Sequence, residues 1–144
     1  MKQTMKTMLA RAVLAMVAAV TVTIIPSGCI GPGDFRHPPM IELPTYTASG
    51  NPGAQQMKRG IFTGAARKGW IVTEPVQGKI RCKLVVRAHT VDVDVLYTDN
   101  SFTIRYADST NLHYDPETKT IHRRYTTWVQ GLYNAIIQQV EMAK

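Results

Sequence analysis

Four histidines, His37, His89, His113 and His122, are the side chains of this sequence best suited to moving a proton near neutral pH or to holding a transition metal. Ligand sets show themselves by spacing, and none of the four stands at a ligand interval from another histidine or from a cysteine. The sequence also lacks a Gly-x-Ser-x-Gly elbow, a phosphate loop and a Cys-His arrangement. The one grouping suited to acid–base work is His122 with Asp115 and Tyr125, and a small hydrolase built on it would need a cleft where the imidazole meets the carboxylate. The competing reading has His122, Tyr114 and Tyr125 fastening an irregular connection by hydrogen bonds, since a loop between sheet and helix has many backbone groups to satisfy. We prefer the second, and therefore expect no enzyme, no catalytic residue, no metal and no cofactor. His37 lies alone among prolines and reads as solvated.

Cys29 has a different chemistry. Residues 1–28 have a basic start (Lys2, Lys6, Arg11), an apolar run from Ala12 to Ile25, and Pro26-Ser27-Gly28 directly before the cysteine, which is the layout of a signal peptide. The apolar run is short for a membrane span and no second hydrophobic segment follows. Small residues ahead of a cysteine resemble the bacterial lipobox, in which the cysteine becomes the first residue of the mature chain and is acylated on its thiol and its amine. Pro26 departs from that pattern, which usually has an aliphatic residue there. Two or three acyl chains anchor firmly, because each buried methylene contributes about 0.8 kcal/mol. By resemblance to sorted lipoproteins of Gram-negative bacteria, Ile30 directs the protein to the outer membrane, facing the periplasm or the cell surface. The other cysteine, Cys82, falls on the inward side of a strand and is expected to be a free, buried thiol.

The formal charge of +7 over 144 residues is partly a property of the leader. Three of the 17 basic residues precede Cys29 and no acid precedes Asp34, so from Cys29 onward 14 basic residues face 10 acidic ones. That balance is too weak for a nucleic-acid-binding footprint. No nucleic-acid partner is expected, and no small-molecule substrate is identifiable.

These residues are positioned by a short series of elements. Ile80, Cys82, Leu84, Val86, then Val91, Val93, Val95, then Phe102, Ile104, Tyr106 alternate with polar residues and predict three strands sharing one apolar face. Trp70–Val76 predicts a strand before them, with Pro75 placing it at the sheet edge. A helix is predicted from an Asn51-Pro52-Gly53 cap to about Lys68, with Met57, Ile61 and Ala65 on its buried stripe. Gly60 and Gly64 lie beside that stripe, where they allow a close backbone approach. Gly69 is placed to end the helix in a left-handed cap. A second helix is predicted from Trp128, Leu132, Ile136 and Val140. The fold class is α+β: a two-layer sandwich in which a four-stranded antiparallel meander carries both terminal helices on one face. Residues 1–28 form the signal peptide, 29–53 a flexible proline- and glycine-bearing tether and 54–144 the domain.

Two-residue turns at Gln77-Gly78, His89-Thr90 and Asp99-Asn100 give a register in which Glu74 opposes Arg81, Arg87 opposes Asp92 and Asp94 opposes Arg105. Ala88 then opposes Val91, and Tyr97 opposes Phe102. Most of the basic outer face is neutralised in this way, leaving Lys79 and Lys83 for the alternative of an anion-binding face for lipid A, peptidoglycan or nucleic acid. Trp70, Val72, Val85 and Leu96 share the outer face with Lys83 and form the expected interaction surface, for a protein partner or for a second copy in a homodimer.

Several motifs occur together: Arg67-Lys68-Gly69-Trp70, the strand Ser101-Phe102-Thr103-Ile104-Arg105-Tyr106, Asn111-Leu112-x-Tyr114-Asp115, and Ile121-His122-x-x-Tyr125-x-x-Trp128-Val129-x-x-Leu132. They resemble a family of small Gram-negative envelope lipoproteins of uncharacterised function. The resemblance covers most of Met57 to Ile137. It implies a helix, a four-stranded meander and a second helix in a lipid-anchored envelope protein, and it supplies no catalytic residues. The expected function is thus that of a lipid-anchored, non-catalytic binding or interaction module.

Overall fold

A computed structural model describes residues 37–143; the leader and Cys29 lie outside them. The elements in chain order are β1 (Tyr46–Thr47), α1 (Ala54–Arg67), β2 (Ile71–Val76), β3 (Lys79–Val86), β4 (His89–Tyr97), β5 (Ser101–Thr110) and α2 (Arg124–Met142). They form an antiparallel five-stranded sheet of order β1-β5-β4-β3-β2 with two helices. The α+β class is as expected, but the sheet has one strand more than the meander.

The extra strand comes from the stretch expected to be a tether. Tyr46 pairs with Phe102, Pro39 bridges Thr120, and the Met40 and Ile121 amides donate to the carbonyls of Lys119 and Pro38. Ala48 is buried, and Met40, Leu43 and Tyr46 pack against the core. These apolar residues follow no strand or helix period and are interrupted by prolines, so periodicity could not reveal them.

The core lies between the helices and one sheet face. Ile80, Cys82, Leu84, Val91, Val93, Val95, Phe102 and Ile104 come from the strands, as the alternation predicts. Met57, Ile61 and Ala65 of α1 meet Val129, Leu132, Ile136 and Val140 of α2. A Cβ placed on Gly64 would lie 2.8 Å from the Ile136 backbone, and one on Gly60 would lie 2.5 Å from Val140 Cγ2, so both glycines do permit the close approach. The C-terminus of α1 is a Schellman cap, with Gly69 at φ +79° and the Gly69 and Trp70 amides donating to the Ala66 and Ala65 carbonyls. Its N-terminus differs from expectation: Gly53 is the capping residue, and no side chain caps it.

The buried stripe of α2 is Tyr125, Val129, Leu132, Ile136 and Val140, with Trp128 only half-buried at its side. A strict spacing of four drifts about 40° per step on a helix of 3.6 residues per turn, which carries position 128 off the stripe.

Two registers are corrected. In β2, Val76 opposes Lys79 as the Gln77-Gly78 turn requires, but Thr73 opposes Arg81, so Glu74 and Pro75 together face the single residue Ile80. This bulge, at a proline that has no amide to donate, reverses the facing of the rest of the strand. Trp70 is therefore buried at 4% exposure, Val72 is half-buried opposite Cys82, and Ile71 takes the outer position. Between β3 and β4 the turn is Arg87-Ala88, with Val86 opposite His89 and Leu84 opposite Val91. Asp92 thus opposes Lys83 and Asp94 opposes Arg81, in place of the Arg87 and Ala88 pairings; the slip spans an even number of residues and leaves inward residues inward. The β4–β5 register, with Asp94 opposite Arg105 and Tyr97 opposite Phe102, is as expected.

Candidate functional site at the histidine end of the sheet

In an antiparallel sheet, the turn before β4 and the exit of β5 fall at the same end, and Thr90 pairs with Thr110 there. His89 begins β4, while His113 and His122 lie in the connection from β5 to α2. The His37 segment is held against the same connection by the Pro39–Thr120 bridge. All four histidines converge. Ring centroids are 5.0 Å apart for His37 and His113, and 5.9 Å apart both for His37 and His122 and for His89 and His122. Trp128, displaced from the core stripe, sits with its ring centroid 6.2 Å from that of His89.

The connection holds these rings through unusual backbone. Asn111 and His113 adopt left-handed conformations, φ +59° and +49°, on either side of fully buried Leu112. Asn111 clamps the β3–β4 turn: its side-chain amide donates to the Ala88 carbonyl at 2.6 Å, and its own carbonyl accepts from His89 Nδ1 at 2.9 Å. His89 Nδ1 therefore carries a proton. His122 is set the other way, its Nδ1 accepting the Arg124 amide at 3.2 Å, so the neutral ring carries its proton on Nε2. Burial, then the charges of His89, His37, Arg124 and Arg123, lower the His122 pKa below the ordinary imidazole value.

The expected acid–base grouping does not assemble. The Asp115 carboxylate accepts the Glu117 amide at 2.9 Å and the Thr118 hydroxyl at 2.8 Å, closing its own turn. Those bonds hold it below the usual carboxylate range. Tyr125 is buried against Tyr106, and burial raises its phenol. The His122 ring accepts the Arg124 amide at the start of α2, and its own amide donates to the Leu112 carbonyl. His122 thus fastens the connection by hydrogen bonds, whereas Tyr114 and Tyr125 meet Tyr106 through ring contacts. Among the described residues, no group of three His, Cys, Asp or Glu side chains is arranged to hold a metal ion.

No family model, no curated protein and no solved structure matches this chain. The likeness to small envelope lipoproteins rests on the sequence motifs alone.

The outer sheet face, the other candidate, carries ion pairs along its middle. Lys79 and Arg81 both reach Asp94, at 2.9 and 3.1 Å, and Lys83 reaches Asp92 at 3.5 Å. Although burial opposes ionisation of Asp94, Arg81 and Lys79 hold its carboxyl below the ordinary range. Arg105 turns to Glu42. Lys79 and Lys83 thus both have acidic partners, which removes the basis for an anion site on this face.

The exposed apolar residues do not form one patch. Ile71 lies diagonal to Val85 at one end, Val76 and Leu96 flank Lys79 at the other, and the charged ladder separates them. With Trp70 buried, the expected interaction surface of Trp70, Val72, Lys83, Val85 and Leu96 is split between two faces of the sheet.

Two remaining features are closed, one by internal bonds and one by burial. Glu74, turned to the helix face by the bulge, pairs with Lys58 and accepts the Tyr97 hydroxyl at 2.6 Å, beside an open cleft of about 500 Å³. Cys82 is fully buried, and burial pushes its thiol up to about 12, so it is inert.

Proposed function

We propose that the protein is a lipid-anchored cell-envelope module, held on the membrane by acylated Cys29 and acting by binding rather than by catalysis. The observation that carries this reading is the order of basic start, apolar run and Ser27-Gly28-Cys29. Seven residues, 30–36, lie between Cys29 and His37, and the described chain bridges from Pro39 to Thr120. At about 3.6 Å per residue, the eight steps from Cys29 to His37 span at most about 30 Å. No helix among the described residues is long and apolar enough to cross a membrane. The outer-membrane assignment follows from Ile30, and its test is envelope fractionation.

Non-catalytic binding is supported by the separate engagements of His122 and Asp115 in hydrogen bonds and of Tyr125 in a ring contact with Tyr106. Mass spectrometry of the protein purified from membranes tests the anchor: an N-terminal Cys29 carrying two or three acyl chains is expected, and a mature chain starting elsewhere with an unmodified thiol would contradict it.

A further inference from the structure

We propose that a cleft bordered by residues 40–43 is a binding site for a small ring-bearing carboxylate, about the size of a benzoate. The proposal does not depend on the lipid anchor. The cleft holds about 220 Å³ between β5, the connection after it, the first turns of α2 and the segment 40–43. That segment is pinned at one end by the Met40 amide on the Lys119 carbonyl, at 2.7 Å, and at the other by Tyr46 paired with Phe102. A cavity of about 150 Å³ is enough for benzene, so the space fits one six-membered ring carrying a substituent.

The wall is aromatic, and it presents an unused donor. Ring centroids of Tyr114 and Tyr125 lie 4.3 and 5.8 Å from that of Tyr106, and all three rings line the cleft. The Tyr106 hydroxyl is engaged with Ser109 Oγ at 2.9 Å. The Tyr125 hydroxyl has no hydrogen-bond partner among the described residues. Tyr125 is 3% exposed, and a tyrosine so deeply placed ordinarily finds a partner for its O–H. Among the described residues, no unbonded side-chain oxygen is sealed in the interior, so this hydroxyl opens on the cleft that its ring lines. Burial raises the phenol and keeps it a neutral donor.

The rim decides the sign of the ligand. Glu42, the one acid lining the cleft, is taken by Arg105 at 3.3 Å. Lys119 also lines it and has no ion-pair partner among the described residues. Its backbone is left-handed, φ +51°, as is that of His113 before Tyr114, φ +49°; such strain in residues other than glycine gathers at binding sites. A carboxylate accepts from the Tyr125 hydroxyl and is drawn to Lys119, while the ring packs on the tyrosine wall. An organic cation, the usual guest of an aromatic cage, meets Lys119 and Arg105 instead.

The test is fluorine NMR of para-fluorobenzoate at neutral pH with the full chain in mild detergent, changes seen with detergent alone being subtracted. Two probes with the same ring, para-fluorobenzyl alcohol and para-fluorobenzyltrimethylammonium, serve for comparison. The benzoate is expected to bind, and the other two to bind roughly fivefold or more weakly. Tyr125→Phe should weaken benzoate binding roughly tenfold, the value of one hydrogen bond to a charged group, at unchanged melting temperature, because its hydroxyl holds nothing in the fold. Lys119→Gln should weaken it roughly two- to fivefold, as for an exposed ion pair, and supplies the reading from another element if Tyr125→Phe does not fold. Lys83→Gln, on the outer sheet face, should leave it unchanged. Absence of benzoate binding, equal binding of the alcohol, preference for the ammonium, or an affinity that neither Tyr125→Phe nor Lys119→Gln alters would overturn the proposal. Detergent keeps every outcome independent of whether Cys29 is acylated.

Discussion

Gly64 of α1 lies against the backbone of Ile136 in α2, so near that an added Cβ would stand 2.8 Å from both its Cα and its amide nitrogen. The two helices meet through this contact, and it sets how closely both sit on the sheet. Gly64→Ala must push α1 and α2 apart and should cost about 1–3 kcal/mol in urea unfolding. Gly60→Ala meets chiefly the Val140 side chain, whose displacement is easier than that of backbone, and should cost less. Equal, near-zero losses at both positions would contradict the helix contact.

Trp70, not Trp128, is the more deeply buried tryptophan. Trp70→Ala should cost about 3–5 kcal/mol, and Trp128→Ala clearly less, because its ring is only partly removed from water. In a Trp128→Phe variant, the remaining tryptophan fluorescence should resist aqueous quenchers. Ready quenching would mean that the β2 bulge is misplaced.

How much of this was legible in the sequence can be judged from particular residues. The alternation from Ile80 to Ile104 gave the inner face of β3, β4 and β5 correctly, because a period of two is read directly from residue types. The Gly60, Gly64 and Gly69 roles were equally legible, since few helical contexts accept glycine. Pro75 announced an edge strand, but that an added residue at Glu74-Pro75 reverses Trp70 is decided by packing and not by composition. Arg87-Ala88-His89-Thr90 contains no glycine or asparagine to fix its turn, so its register could slip by an even number without disturbing the core. The histidine cluster was half legible: a meander brings the β3–β4 turn and the end of β5 together, which places His89 near His113 and His122. His37 was not, because its docking depends on the unpatterned segment through Pro39.

Stability should fall in acid in two steps with distinct causes. The folded-state pKa of His122 is lowered by burial and by neighbouring positive charges, so the unfolded chain binds the proton more tightly. Its contribution is complete above the unfolded value of about 6.5 and is lost as the pH falls through the lower folded value. The Asp94 carboxyl is also held low, and its contribution is lost further down, below the ordinary carboxylate range. Melting temperature measured against pH should therefore decline below about 6.5, and His122→Gln should flatten that first decline while leaving the second. A first decline unchanged in the variant would remove His122 as its source.

The exposed apolar residues of the outer face should matter little. Val85 and Leu96 are 55% and 41% exposed and lie at opposite ends of a charged ladder, so Val85→Ser with Leu96→Ser should change stability by about 0.5 kcal/mol or less at each site. Light scattering should show the same mass for variant and parent. Loss of a dimer in the variant would restore this face as an interface between copies.

The most direct test of the account is where the protein goes when Cys29 cannot be acylated. Wild type and Cys29→Ser are expressed in a Gram-negative host, and their envelope and soluble fractions are separated in detergent-phase partition. The account predicts wild type in the detergent phase from the outer-membrane fraction and Cys29→Ser in the aqueous phase; equal aqueous partition of both would contradict it.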